Sequence, residues 1–232
     1  MKAMLWSDLL VAKKYFVQQI ILCLVIAVFV CVMTENVYVG MPVASVMMPF
    51  SLAFTIIALD ERGNWEQFRL ALPLSRTDVI LGRYASLVVL ALIGLVLGFI
   101  ILGLVVAAAT LFPAIPQLSG LLLNFSWQGV VLVAAISLVI ILVMFSLTMP
   151  LVSRFGMTKA VRLVPLLAVF GIMAVFSFGG NSEMSTFAAN LASLLETPAG
   201  TLALSGTILA AGLALYALSG VLSIKLYAKR QF

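Results

Sequence analysis

The stretch ASLVVLALIGLVLGFIILGLVVAAATL, residues 85–111, contains no charged side chain and no alternation of polar with apolar positions. A helix rises about 1.5 Å per residue, and a hydrocarbon core of about 30 Å takes about 20 helical residues to cross, with a range of about 17–25. The stretch is long enough. A membrane β-strand would show a period of two, which is missing here. On either side, five further apolar runs meet the same test, at 16–33, 43–59, 127–152, 163–180 and 202–224. The expectation is an all-α membrane protein with six transmembrane helices in a single domain over 1–232.

Composition supports this reading. Hydrophobic residues make up 64% of the chain and charged residues 9%, with a mean hydropathy of +1.26. A soluble domain has about 45–50% apolar and about 25% charged residues, because water must wet its surface. Here lipid has to be the solvent for most of the outside. The net charge of +5 does not indicate nucleic acid, since the basic residues are scattered between apolar runs instead of forming one face. The chain has no histidine, which excludes an imidazole base and a histidine-built zinc site. Cys23 and Cys31 are eight positions apart in one span. On a helix their α-carbons lie roughly 12 Å apart, too far for a disulfide, and they read as packing residues. The first run lacks a small-residue cleavage site and is expected to remain as an anchor.

Charge also sets the orientation. Every Lys and Arg falls in one of four places: Lys2, Lys13 and Lys14; Arg62, Arg69, Arg76 and Arg83; Arg154, Lys159 and Arg162; Lys225, Lys229 and Arg230. The alternate connections hold only Glu35, Glu183 and Glu196 as charged residues. Basic loops stay in the cytoplasm, so six crossings place both termini there. No ionisable residue falls near the middle of a run, which argues against a proton-coupled carrier and against an intramembrane acid–base enzyme. Sodium coupling through backbone carbonyls stays open. No G-x-x-x-x-G-K-[ST] phosphate loop occurs.

Polar information is concentrated at 60–78, between the second and third runs. Trp65, Phe68 and Leu72 recur on one face of a short helix, Glu66 is spaced to pair with Arg62 and Arg69, and Pro73 ends the helix. Ser75 with Asp78 reads as a helix start. An interfacial loop helix whose aromatics rest at the headgroups accounts for this pattern, and so does a docking element for a partner. Arg76 and Arg83 are expected to set the depth of the third helix against anionic headgroups.

The residues Asp60-Glu61-Arg62, Trp65-Glu66, Leu72-Pro73-Leu74-Ser75-Arg76 and Gly82-Arg83-Tyr84 resemble the corresponding stretch of ABC-2 superfamily permease subunits, the small six-helix transmembrane proteins of peptide or antibiotic exporters. The resemblance implies an ABC-2-type (type V) exporter transmembrane domain in a bacterial-type cytoplasmic membrane. It implies a coupling helix within 60–78, with Glu61, Arg62, Trp65, Glu66, Phe68 and Arg69 docking cytoplasmic ABC ATPase subunits. ATP and Mg would be bound by that partner and no cofactor by this chain. A second permease copy or homologue would complete a dimer in the bilayer. Residues 1–15 then correspond to an interfacial helix, and the apolar stripe within 182–197 to an extracellular amphipathic helix. Other readings are a substrate-binding membrane subunit of a vitamin importer, a non-ABC carrier, a membrane enzyme and an assembly partner.

Among weaker signals, Gly94 and Gly98 form G-x-x-x-G, which serves packing within the chain or a dimer seam. Pro49 and Pro150 kink their helices, or the second of them marks a helix end. Ser45, Ser51, Thr55, Ser137, Ser146 and Thr148 either line a path or bond to backbone carbonyls.

Overall fold

The computed structural model describes residues 2–62, 75–111, 125–156, 194–195 and 197–228. Among these, five helices are long and apolar enough to cross a membrane: α1 (Lys2–Thr34), α2 (Gly40–Arg62), α3 (Arg76–Leu111), α4 (Trp127–Phe155) and α5 (Pro198–Ala228). The run expected at 163–180, and nearly all of the 182–197 segment, lie outside the described residues.

Helix boundaries follow local chemistry. α1 is one helix of 33 residues, about 50 Å long, and it joins the stretch expected to be interfacial to the first apolar run without a break. It holds no Gly or Pro to break it, and Lys13 and Lys14 are exposed and need no interruption. It ends when Glu35 turns into the left-handed region at φ 49 and the Asn36 N–H donates to Cys31 O at 3.3 Å, a Schellman-type closure. Asn36 Oδ1 then accepts from Tyr38 N at 2.9 Å and shapes the short link to α2. Ser75 caps α3 as its spacing to Asp78 predicts: the Asp78 N–H donates to Ser75 Oγ at 3.1 Å. Ser126 does the same for α4, accepting from Gly129 N. Thr197 caps α5, with Pro198 at the first helical position, where a missing N–H costs nothing. Pro49 and Pro150 both lie inside helices that continue past them.

α2 and α3 form the centre as an antiparallel pair. α1 packs on one side of it, and α4 and α5 on the other. One apolar core joins α1, α2 and α3 through residues such as Ala27, Met41, Met48, Leu90 and Ile101. A second joins α2, α3, α4 and α5 through Ala53, Leu87, Phe145, Met149 and Tyr216. The G-x-x-x-G pair sits at the α2–α3 crossing. A β-carbon on Gly94 would stand 2.9 Å from Ser45 O and overlap the Pro49 ring, and one on Gly98 would stand 3.0 Å from Met41 O and overlap Ser45 Oγ. The two glycines therefore bring neighbouring backbones of this chain together.

α4 and α5 run in the same direction. Ser219 Oγ donates to Ser146 O at 2.7 Å, and seven residues earlier on both helices Gly212 faces Val139. At the opposite end of α4, the Tyr38 hydroxyl donates to Ser126 O at 3.2 Å and the Tyr38 ring stacks on Phe125. This fastens the α1–α2 link to the start of α4.

The side-chain distribution is that of a protein in lipid. Leu218 is 67% exposed, as are comparable faces of α1 and α3, while Ser223 is fully buried. The hydroxyls within the helices mostly satisfy backbone. Thr55 donates to Ser51 O, Ser137 to Val133 O, Ser146 to Leu142 O and Thr148 to Met144 O, each four residues back. This is the backbone-bonding alternative of the sequence reading. Cys23 and Cys31 are buried free thiols.

Candidate functional site

The starts of α1 and α3 and the ends of α2, α4 and α5 meet at one end of the bundle. Lys13, Lys14, Arg154 and Lys225 are exposed toward that end, and Glu35 lies at the other. The basic end also carries the strongest electrostatic feature among the described residues. Arg83 of α3 is 7% exposed. Its Nη1 lies 3.4 Å from Asp8 Oδ1, and its Nη2 contacts the Asp60 carboxylate directly. Asp8 is 1% exposed and also accepts a hydrogen bond from Ser86 Oγ at 2.8 Å. One guanidinium thus faces a carboxylate from α1 and another from α2. The planar, permanently charged Arg fork suits this better than a Lys, because it can address both groups at once.

The adjacent residue faces the opposite way. Tyr84 Oη lies 2.8 Å from Ser219 Oγ and 2.7 Å from Ser223 Oγ, and Tyr216 Oη donates to Tyr84 O at 2.8 Å. The two tyrosine rings sit 4.9 Å apart between centroids. Through Ser219 the network reaches Ser146 of α4. The first turns of α3 are therefore tied to α1 and α2 by charge and to α4 and α5 by hydroxyls.

Between these ties lies a cavity of about 50 Å³, lined by residues that include Asp60, Glu61, Arg83, Ser153 and Tyr227. A larger apolar hollow of about 220 Å³ lies between α1 and α3 toward the other end, against Leu24, Val28, Ile101 and Leu104. No group of three or more Cys, Asp or Glu side chains that could hold a metal ion occurs among the described residues.

Of the residues singled out from sequence, Glu61 is exposed at the end of α2. Arg62 is the last residue of α2 and Arg76 the first of α3. Trp65, Glu66, Phe68 and Arg69 lie outside the described residues. Arg83, assigned from sequence to lipid headgroups, directs its charge at protein carboxylates instead, because the α1 and α2 ends bring two acids to it. Sequence reasoning passed over Asp8, although it is the one acid among residues 1–34. It also passed over the Tyr216, Ser219 and Ser223 face, whose spacing of three and four marks one side of a helix.

A bundle with lipid-like exposure, buried hydroxyls and charge gathered at one end defines a multi-pass α-helical membrane protein. The chain belongs to the ABC-2 family: the family model described as ABC-2 family transporter protein matches residues 3–228. Membership makes it a transmembrane component of a transporter, not itself catalytic. Comparison with curated proteins and with solved structures gives no match.

Proposed function

We propose that this chain is the permease subunit of an ATP-driven exporter, moving an amphipathic peptide, antibiotic or lipid-like substrate across a bacterial-type cytoplasmic membrane by alternating access. The family match carries the transporter assignment. The end of α2 and the start of α3, which residues 63–74 join in sequence, both lie at the basic end of the bundle, and this supports docking there. In this reading the basic end faces the cytoplasm and Glu61, Arg62, Trp65, Glu66, Phe68 and Arg69 engage a separate ABC ATPase, which binds ATP and Mg. Arg76 faces anionic headgroups. A second copy or a homologue completes the translocation route.

A sixth crossing fits the same geometry. α4 and α5 point the same way, so a chain that leaves α4 at one end and begins α5 at the other needs a return path, and the apolar run at 163–180 is long enough to provide it.

The docking claim has a direct test. Trp65→Glu with Phe68→Glu places two charges on the apolar face of the proposed coupling helix. The ABC ATPase subunit that this reading requires is expected to co-purify with the wild type and to be lost from the double variant. Undiminished co-purification would refute docking through this segment.

A further inference from the structure

We propose that Arg83 is a positioning residue that locks the start of α1 to both roots of the 63–74 segment, so that a load on that segment moves α1 together with α2 and α3. The inference deepens the permease reading above and rests on it for the source of the load.

The geometry is specific. Asp60 stands two residues before the end of α2, and Arg83 stands two turns into α3. These are the two strands of chain from which residues 63–74 leave and return. The third partner, Asp8, comes from a helix with no part in that connection, yet it is the most deeply buried of the three. Ser86, one turn further along α3, donates to the same carboxylate and fixes its orientation.

Buried ion pairs add little net stability, because desolvating the charges offsets their attraction. Their better-attested use is to select one arrangement of elements over its neighbours. Here the arrangement selected is the register of α1 against the α2–α3 pair. α1 is unbroken from Lys2 to Thr34, so a displacement at Asp8 is carried rigidly across the bilayer toward Glu35. Without the lock, apolar side chains such as Leu9 and Tyr15 still hold α1 against the pair, but they tolerate sliding, as non-directional contacts do.

The test uses the full chain with Cys23 and Cys31 replaced by alanine. Spin labels are placed at the exposed positions Lys13 and Glu61, and a control pair at the exposed positions Ile136 and Leu218. Electron–electron distance measurements on the wild type are expected to give one narrow 13–61 distribution. Arg83→Gln and the isosteric Asp8→Asn are each expected to shift it to longer and broader distances, with the 136–218 pair unchanged. A narrow, unshifted 13–61 distribution in Asp8→Asn overturns the proposal, and that variant decides the matter should Arg83→Gln disturb the control pair.

In complex with the ATPase, ATP is expected to change the 13–218 distance in the wild type. In Asp8→Asn that change is lost while the ATPase still co-purifies; an ATP response of full size in Asp8→Asn also overturns the proposal. Failure of the wild type to bind the ATPase would sink the docking reading, but the 13–61 comparison on the isolated chain would still judge the lock.

Discussion

Gly98→Leu is expected to push α2 and α3 apart and to remove most of the folded protein from detergent extracts. The site has no room. A single β-carbon on Gly98 already overlaps Ser45 Oγ and stands 3.0 Å from Met41 O and 3.2 Å from Met41 Cγ. One of these obstacles is backbone and cannot rotate away. Inserting methylenes into packed space costs about 1–3 kcal/mol and occasionally more, and a branched side chain against backbone belongs at the upper end, about 3 kcal/mol or above. The central pair is shared by both apolar cores, so the loss spreads to α1 and to α4. Gly103 supplies the control: nothing lies within 4 Å of a β-carbon there, and Gly103→Leu on the same helix is expected to be close to neutral. Size-exclusion profiles and thermal unfolding of the two variants make the comparison. Equal behaviour of the two would mean that the close crossing is not where the structure places it.

Arg83→Leu carries the second large effect. The substitution keeps the apolar stem but leaves the carboxylates of Asp8 and Asp60 without the cation that faces both. Removing one partner of a buried ion pair costs about 3–5 kcal/mol, because the remaining charge stays desolvated. Asp60 is half-buried and can turn toward water, so most of the penalty falls on Asp8, at 1% exposure. Adding Asp8→Asn to Arg83→Leu is expected to recover part of the lost melting temperature, a non-additive result of the kind that neighbouring residues show. Strict additivity would mean that the two side chains do not interact.

The parts of this architecture that depend on local pattern could be read from sequence, and those that depend on distant pairing could not. The apolar runs at 43–59, 85–111, 127–152 and 202–224 each lie within a described helix, because hydrocarbon thickness imposes a length that any such run displays. Their true ends extend further. α5 runs from Pro198 to Ala228 and α3 begins at Arg76, because capping residues such as Thr197 and Ser75 continue the helix past the apolar boundary. α1 runs unbroken through residue 15, since two exposed lysines alter solvation without breaking backbone hydrogen bonds.

The charge cluster was out of reach for a different reason. Arg83 on its own looks like many arginines at a membrane surface. Only the fold brings Asp8 to it from 75 positions away. Tyr84 and Ser219 are likewise separated by 135 positions, and no periodicity within either helix announces the bond. The G-x-x-x-G motif lay between these cases: its spacing was visible, but only the α2 backbone against it shows that it serves this chain's own packing.

Sidedness tests the account most directly, because every proposal about coupling requires the basic end to face the cytoplasm. Single cysteines at Glu35 and Glu61, both exposed and at opposite ends of the bundle, can be probed in intact cells with a membrane-impermeant maleimide, in the background lacking Cys23 and Cys31. Glu35→Cys is expected to label at once, and Glu61→Cys only after the membrane is permeabilised. Labelling of Glu61→Cys in intact cells would put the 63–74 segment outside, beyond the reach of any cytoplasmic ATPase, and would contradict the account.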